Sequence, residues 1–126
     1  MAYKVYWEVP QQVLRIELEG NLTIEDFGQI NRAVIDLLGV ETTRRQINLL
    51  IDITRPSRTP RDIQQIKSSQ TYVMRRDLKH IFVAGTDKFM RLMMLLTFTV
   101  CKPSLTFVDT IDRALATSAA MRESVG

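Results

Sequence analysis

Apolar and polar positions follow two periods along this chain. From Val13 to Glu19, Leu14, Ile16 and Leu18 alternate with Arg15 and Glu17, the period of a strand with one wet face. Tyr3 to Val9 reads as a strand before it, and Pro10-Gln11-Gln12 as the turn between them. The two predict an antiparallel hairpin, and Gly20-Asn21 closes its second strand. At Ile24 the period lengthens. Ile24, Phe27, Ile30, Val34, Leu37 and Leu38 fall on one face of a helix over 24–38, with Thr23 as cap, Glu25 and Asp26 in the first turn, and Gly39 as stop.

After a polar connection from Val40 to Arg45, the run Gln46 to Ile53 is apolar and short, as expected of a strand covered on both faces by helices. The character then reverses. Thr54-Arg55-Pro56-Ser57-Arg58-Thr59 reads as a basic loop, and Thr59, Pro60 and Asp62 as the start of a second helix with Thr59 as cap. Ile63, Ile66, Tyr72 or Val73, and Met74 supply that helix's apolar stripe. Leu78 to Gly85 is a further strand, and Thr86-Asp87-Lys88 caps a third helix running to about Val100 and ended by Pro103. Ser104 to Val108 forms the last strand. Asp109, Thr110, Ile111 and Asp112 open a final helix that turns Ala114, Leu115 and Met121 inward. Beyond the hairpin, strands and helices alternate, which implies right-handed crossovers and a mixed, mostly parallel sheet of about five strands with four helices in one α/β domain.

This order resembles the STAS family of anti-sigma-factor antagonists, the SpoIIAA-like fold. Val13 to Asn21 (VLRIELEGN), Asn48 to Ile53 (NLLIDI), Lys79 to Gly85 (KHIFVAG) and Phe107 to Leu115 (FVDTIDRAL) carry the likeness over nearly the whole chain. The resemblance implies a non-enzymatic switch or scaffold module. In typical antagonists the central strand leads into Asp-Ser-Ser-Gly, whose serine is phosphorylated at the start of the next helix. Here that motif is absent, and Ser57 lies near the matching place.

Composition narrows the setting. The 126 residues contain one cysteine, Cys101, so an internal disulfide is excluded and a reducing cytoplasm is expected. No signal peptide is read at Met1-Ala2-Tyr3-Lys4, and the apolar run Phe89 to Cys101 is broken by Arg91 and shorter than the ~20 residues of a membrane span. A net charge of +3 permits anionic partners, but the sparse aromatic residues are not interleaved with basic ones as nucleic-acid stacking requires.

Candidate chemistry gathers at one place. Ligands of parallel sheets collect beyond the carboxyl ends of the strands, where the Thr54 to Thr59 loop and the Gly85-Thr86-Asp87 turn are both expected, each beside a helix N-terminus. Arg55, Arg58 and Arg61 would make that rim attractive to a phosphate, a phospholipid headgroup or an acidic protein surface. Ser57 is a candidate phosphorylation site; Thr59 is accounted for by its cap role. His80 has no second histidine or cysteine near it in sequence, so neither a metal site nor a nucleophilic triad is expected. Asp109 and Asp112 read as helix-start acids, and Asp52 as a residue that orders the loop backbone. Met90, Met93 and Met94, in a helix apolar nearly all round, are candidates for core, dimer contact or a lipid pocket.

The reading is therefore a non-enzymatic cytoplasmic module without cofactor. It would bind an unidentified protein partner through Arg55, Ser57, Arg58, Thr59, Arg61, Thr86 and Asp87. The alternative is a binder of an anionic amphiphile or lipid, using the basic loop and the apolar helix 89–100.

Overall fold

The computed structural model describes residues 2–40, 46–98 and 104–125, with backbone alone for Ser57 and for 121–125. In chain order it contains β1 (Tyr3–Val9), β2 (Val13–Asn21), α1 (Ile24–Leu38), β3 (Ile47–Arg58), α2 (Ile63–Ser69), a 3-10 turn (Thr71–Met74), β4 (Leu78–Ala84), α3 (Lys88–Phe98), β5 (Ser104–Val108) and α4 (Ile111–Val125). The connection at 41–45, the end of the third helix at Val100, Cys101, Pro103 and the side chain of Met121 lie outside the described residues.

The five strands form one sheet in the order β1-β2-β3-β4-β5. β1 and β2 are antiparallel, while β2, β3, β4 and β5 run parallel. This is the mixed, mostly parallel α/β sheet that the alternating pattern predicts. Leu14, Ile16, Leu18, Leu49, Ile51, Ile53, Ile81 and Val83 turn to one face, where Phe27, Ile30 and Val34 of α1, Ile66 of α2 and Met93 of α3 complete the main core. The other face carries a smaller core of Val13, Leu50, Phe82, Ala84 and Val108 under Ala114 of α4. Two helix starts explain themselves locally. Thr23 and Asp26 make reciprocal side-chain to backbone bonds of 3.1 and 2.9 Å, a capping box that fixes the entry to α1. Thr110 Oγ1 accepts from the Arg113 amide at the start of α4.

Three expectations change. β3 does not end at Ile53 but continues to Arg58, so the expected loop is mostly strand. In consequence α2 begins later: the carbonyl of Arg58 still accepts from the Leu22 amide at 2.8 Å, the chain turns only after it, and Asp62 rather than Thr59 caps the helix by accepting from the Gln65 amide at 3.0 Å. The second helix also ends sooner, at Ser69, and the rest of its expected stripe falls in the 3-10 turn, where Tyr72 and Val73 are buried but Met74 is exposed.

β4 leaves the side of β3 at Gly85. That residue has φ +144, outside the range L side chains adopt readily, and a Cβ there would sit 2.6 Å from Ile53 Cγ1 and 3.1 Å from the Ile53 carbonyl. Gly85→Ala is expected to destabilise the protein by roughly 1–3 kcal/mol through strain and overpacking. Gly28→Ala, at a helical position of α1 with nothing within 4 Å, should stabilise by roughly 0.5–1 kcal/mol. Urea unfolding of the two variants checks both signs.

Candidate functional site

The last third of β3 overhangs the sheet. Pairing between β3 and β4 stops at Asp52 with Ala84, whereas pairing with β2 goes on through Glu19 with Arg55, Gly20 with Pro56 and Asn21 with Arg58. Two register shifts in that stretch absorb the mismatch in length between the strands. The overhang is thus an edge, which is where a proline is tolerated within a strand, and Pro56 occupies it. Arg55 and Arg58 are exposed along it.

A polar cluster holds the base of the overhang. Asp52, 2 % exposed, accepts bonds from the backbone amide and the hydroxyl of Thr54 through one carboxylate oxygen. Its other oxygen lies 3.8 Å from the Arg15 guanidinium, which also meets Glu17 at 2.9 Å and Glu8 at 3.4 Å. The Tyr6 hydroxyl donates to Glu17 at 2.8 Å. Burial, with that hydrogen bond, pushes the Tyr6 hydroxyl up to about 12. Arg15 Nε is buried without an acceptor among the described residues, an unmade bond that the surrounding carboxylates offset. The alternation of Arg15 and Glu17 signalled a polar strand face, but that Asp52 sits in register with Glu17 becomes visible only with the pairing.

Beyond the overhang lies the rim. Pro56, Arg58, Thr59, Arg61, Asp87, Phe89 and Met90 line a cleft of about 270 Å³, and Ile53, Thr54, Pro56, Gly85, Thr86, Asp87 and Asp109 line a second of about 270 Å³. Pro56 and Asp87 border both. Of the expected residues, Arg58, Thr59, Arg61 and Asp87 line the first cleft, Thr86 and Asp87 the second, and Arg55 stands on the exposed overhang. Ser57 lies within β3, well before the start of α2, rather than at a helix N-terminus. The Arg61 guanidinium stacks 4.5 Å above the Phe89 ring, tying the turn before α2 to α3. Arg91 locks the neighbouring turn, donating to the Gly85 carbonyl at 2.7 Å and pairing with Asp109 at 3.1 Å.

The helix starts at this rim are already served by their own acids. Asp62 caps α2, and Asp87 caps α3 by accepting from the Met90 amide at 2.8 Å. A bound anion would meet two carboxylates where the sequence pattern led us to expect free amides, so attraction for negative charge rests on the arginines.

Of the methionines, Met90 borders the first cleft, and Met93 and Met94 line neither. Met90, Met93 and Met94 are all buried in the main core, so they are not surface contacts for a second chain. The apolar cavity that Met94 helps to line is about 20 Å³, room for a water and not for an acyl chain. Leu92, Leu95 and Leu96 form the exposed crest of α3. His80 bonds through Nδ1 to Ser104 Oγ, between β4 and β5 and away from the rim. Among the described residues no group of three or more His, Cys, Asp or Glu is placed to hold a metal ion, and no helix is long and apolar enough to cross a membrane.

No family model matches the chain, and no curated protein matches it. Among solved structures it superposes on an uncharacterized protein of the DUF3478 family, described as having a SpoIIAA-like fold, from Shewanella loihica PV-4. The TM-score is 0.64 at 19% identity, over 91% of this chain and 90% of that one. The fold is SpoIIAA-like. At that identity the likeness concerns architecture, and what this SpoIIAA-like domain does must come from its own rim.

The Tyr6 cluster gives a pH signature. Because the folded-state pKa of Tyr6 is raised above its ordinary value of 10.0, the stabilisation is complete below about pH 10 and fades as the pH climbs toward about 12. Tyr6→Phe should flatten this alkaline loss; an equally steep decline in the variant, followed by urea unfolding across that window, would assign it to other groups.

Proposed function

We propose that the protein is a non-enzymatic, cytoplasmic regulatory module that binds a partner protein through the rim built by Arg55, Arg58, Thr59, Arg61, Thr86 and Asp87. The observation that carries this reading is the overhang of β3. It holds two exposed arginines on an ordered strand, beside an open cleft, at the carboxyl edge where parallel sheets place their ligands. Rigid presentation lowers the entropy lost on association, which suits recognition.

The chemistry at the rim favours binding over catalysis. Its carboxylates cap helices or pair with Arg91, and among the described residues its lining contains neither histidine nor cysteine. The SpoIIAA-like architecture and the resemblance to anti-sigma-factor antagonists support the same class of module. A lipid-binding reading has less behind it, since the apolar cavity is water-sized.

Charge reversal tests the assignment. In a quantitative pull-down from lysate of the source cells, Arg55→Glu with Arg58→Glu is expected to lose the proteins that the unaltered chain retains, while the melting temperature stays nearly unchanged because both side chains are exposed. Retention of the same proteins by the variant would remove the rim from the account.

A further inference from the structure

The free side of the overhang is shaped like a vacant strand position. β2 covers one edge of Thr54–Arg58. Along the other edge β4 has already turned away at Gly85, and among the described residues no strand takes its place. The two clefts lie in the space so vacated, both bordered by Pro56 on the strand side and by Asp87 on the side of α3. Sharing those two residues, they lie side by side as a two-part slot next to the overhang.

We infer that this slot receives an extended acidic segment of the partner protein, added to the edge of β3 as a further strand. This rests on the reading of the rim as a partner surface and specifies how the partner is held. Because the Thr54 amide is held by Asp52 and Pro56 has none, the free edge offers carbonyls as acceptors, so amides of the segment would make the main-chain hydrogen bonds and side-chain contacts would set specificity. At ~3.3 Å per residue, the exposed edge accommodates a segment of about four or five residues. Charge sets its chemistry and direction. Arg58 and Arg61 line only the first cleft and Asp109 only the second, while Asp87 borders both. Aspartate or glutamate of the incoming segment belongs at the arginine end. At the other end Asp109, already paired with Arg91, leaves no unpaired cation for an acid to meet among the described lining residues. Pro56 offers no N–H and leaves a gap in the ladder, which keeps the edge from pairing indiscriminately with other chains.

The test is a selection of displayed random heptapeptides on the full-length chain, followed by affinity measurements on the enriched sequences as free peptides. Peptides with an acidic residue toward one end should be enriched, and Arg58→Glu should weaken their binding by about tenfold or more. Methylation of alternate peptide backbone nitrogens should also abolish binding, while methylation of the intervening ones is tolerated, because only one set of amides can face β3. Absence of enrichment, or enriched peptides indifferent to backbone methylation, would overturn the strand mode. If those indifferent peptides still lose affinity with Arg58→Glu, the rim stands as a partner surface and only the strand addition fails. Indifference to both changes removes both.

Discussion

The approach of Gly85 to Ile53 sets the shape of the functional end of this molecule. A side chain at position 85 would collide with the Ile53 side chain and backbone, so only glycine lets β4 end hard against β3 and swing into α3. From that point β3 has lost one neighbour and kept the other. The overhang, the slot beside it and the exposure of Arg55 and Arg58 all follow from strands that part at one residue. Arg91 makes the parting permanent by fastening the Gly85 carbonyl and Asp109 from the first turn of α3.

Opposed demands meet at the overhang. A strand that leaves its sheet loses ladder bonds on one side and the burial that pays for order, so it needs support from elsewhere. Asp52 provides it at the base by holding Thr54, and the Leu22 amide provides it at the tip by holding the Arg58 carbonyl. The Arg15 guanidinium in turn faces Asp52 across the two strands at 3.8 Å and orients it. Removing Arg15 from this half-buried cluster would leave the buried Asp52 without its cation, which makes the polar face a structural anchor for the rim.

Much of the architecture was legible because burial writes its period into sequence. The bounds of β1, α1 and β5 follow from alternation and from caps such as Thr23 and Gly39, whose chemistry is local. The rim was legible as a location, because arginines after a buried strand have few other places to be. Its form was not. Arginine, proline and serine in 54–59 carry the composition of a loop, and only the continued presence of β2 alongside, a contact remote in sequence, makes them a strand. The same remoteness misplaced the start of α2: Thr59 is a good cap by type, but its neighbour Arg58 is still bonded to Leu22. For α3, composition alone could not divide an almost wholly apolar helix into faces; packing turned the methionines inward and left the leucines outside.

The central claim is that residues 54–58 form an ordered strand against β2 although β4 no longer accompanies them. Residue-resolved amide exchange by NMR tests it at the Leu22 amide, whose acceptor is the Arg58 carbonyl at the far end of the overhang. The account predicts that this amide exchanges orders of magnitude more slowly than an unstructured peptide, in step with the amides of β2. Exchange at the free-peptide rate would show that the overhang is a loop and contradict the account.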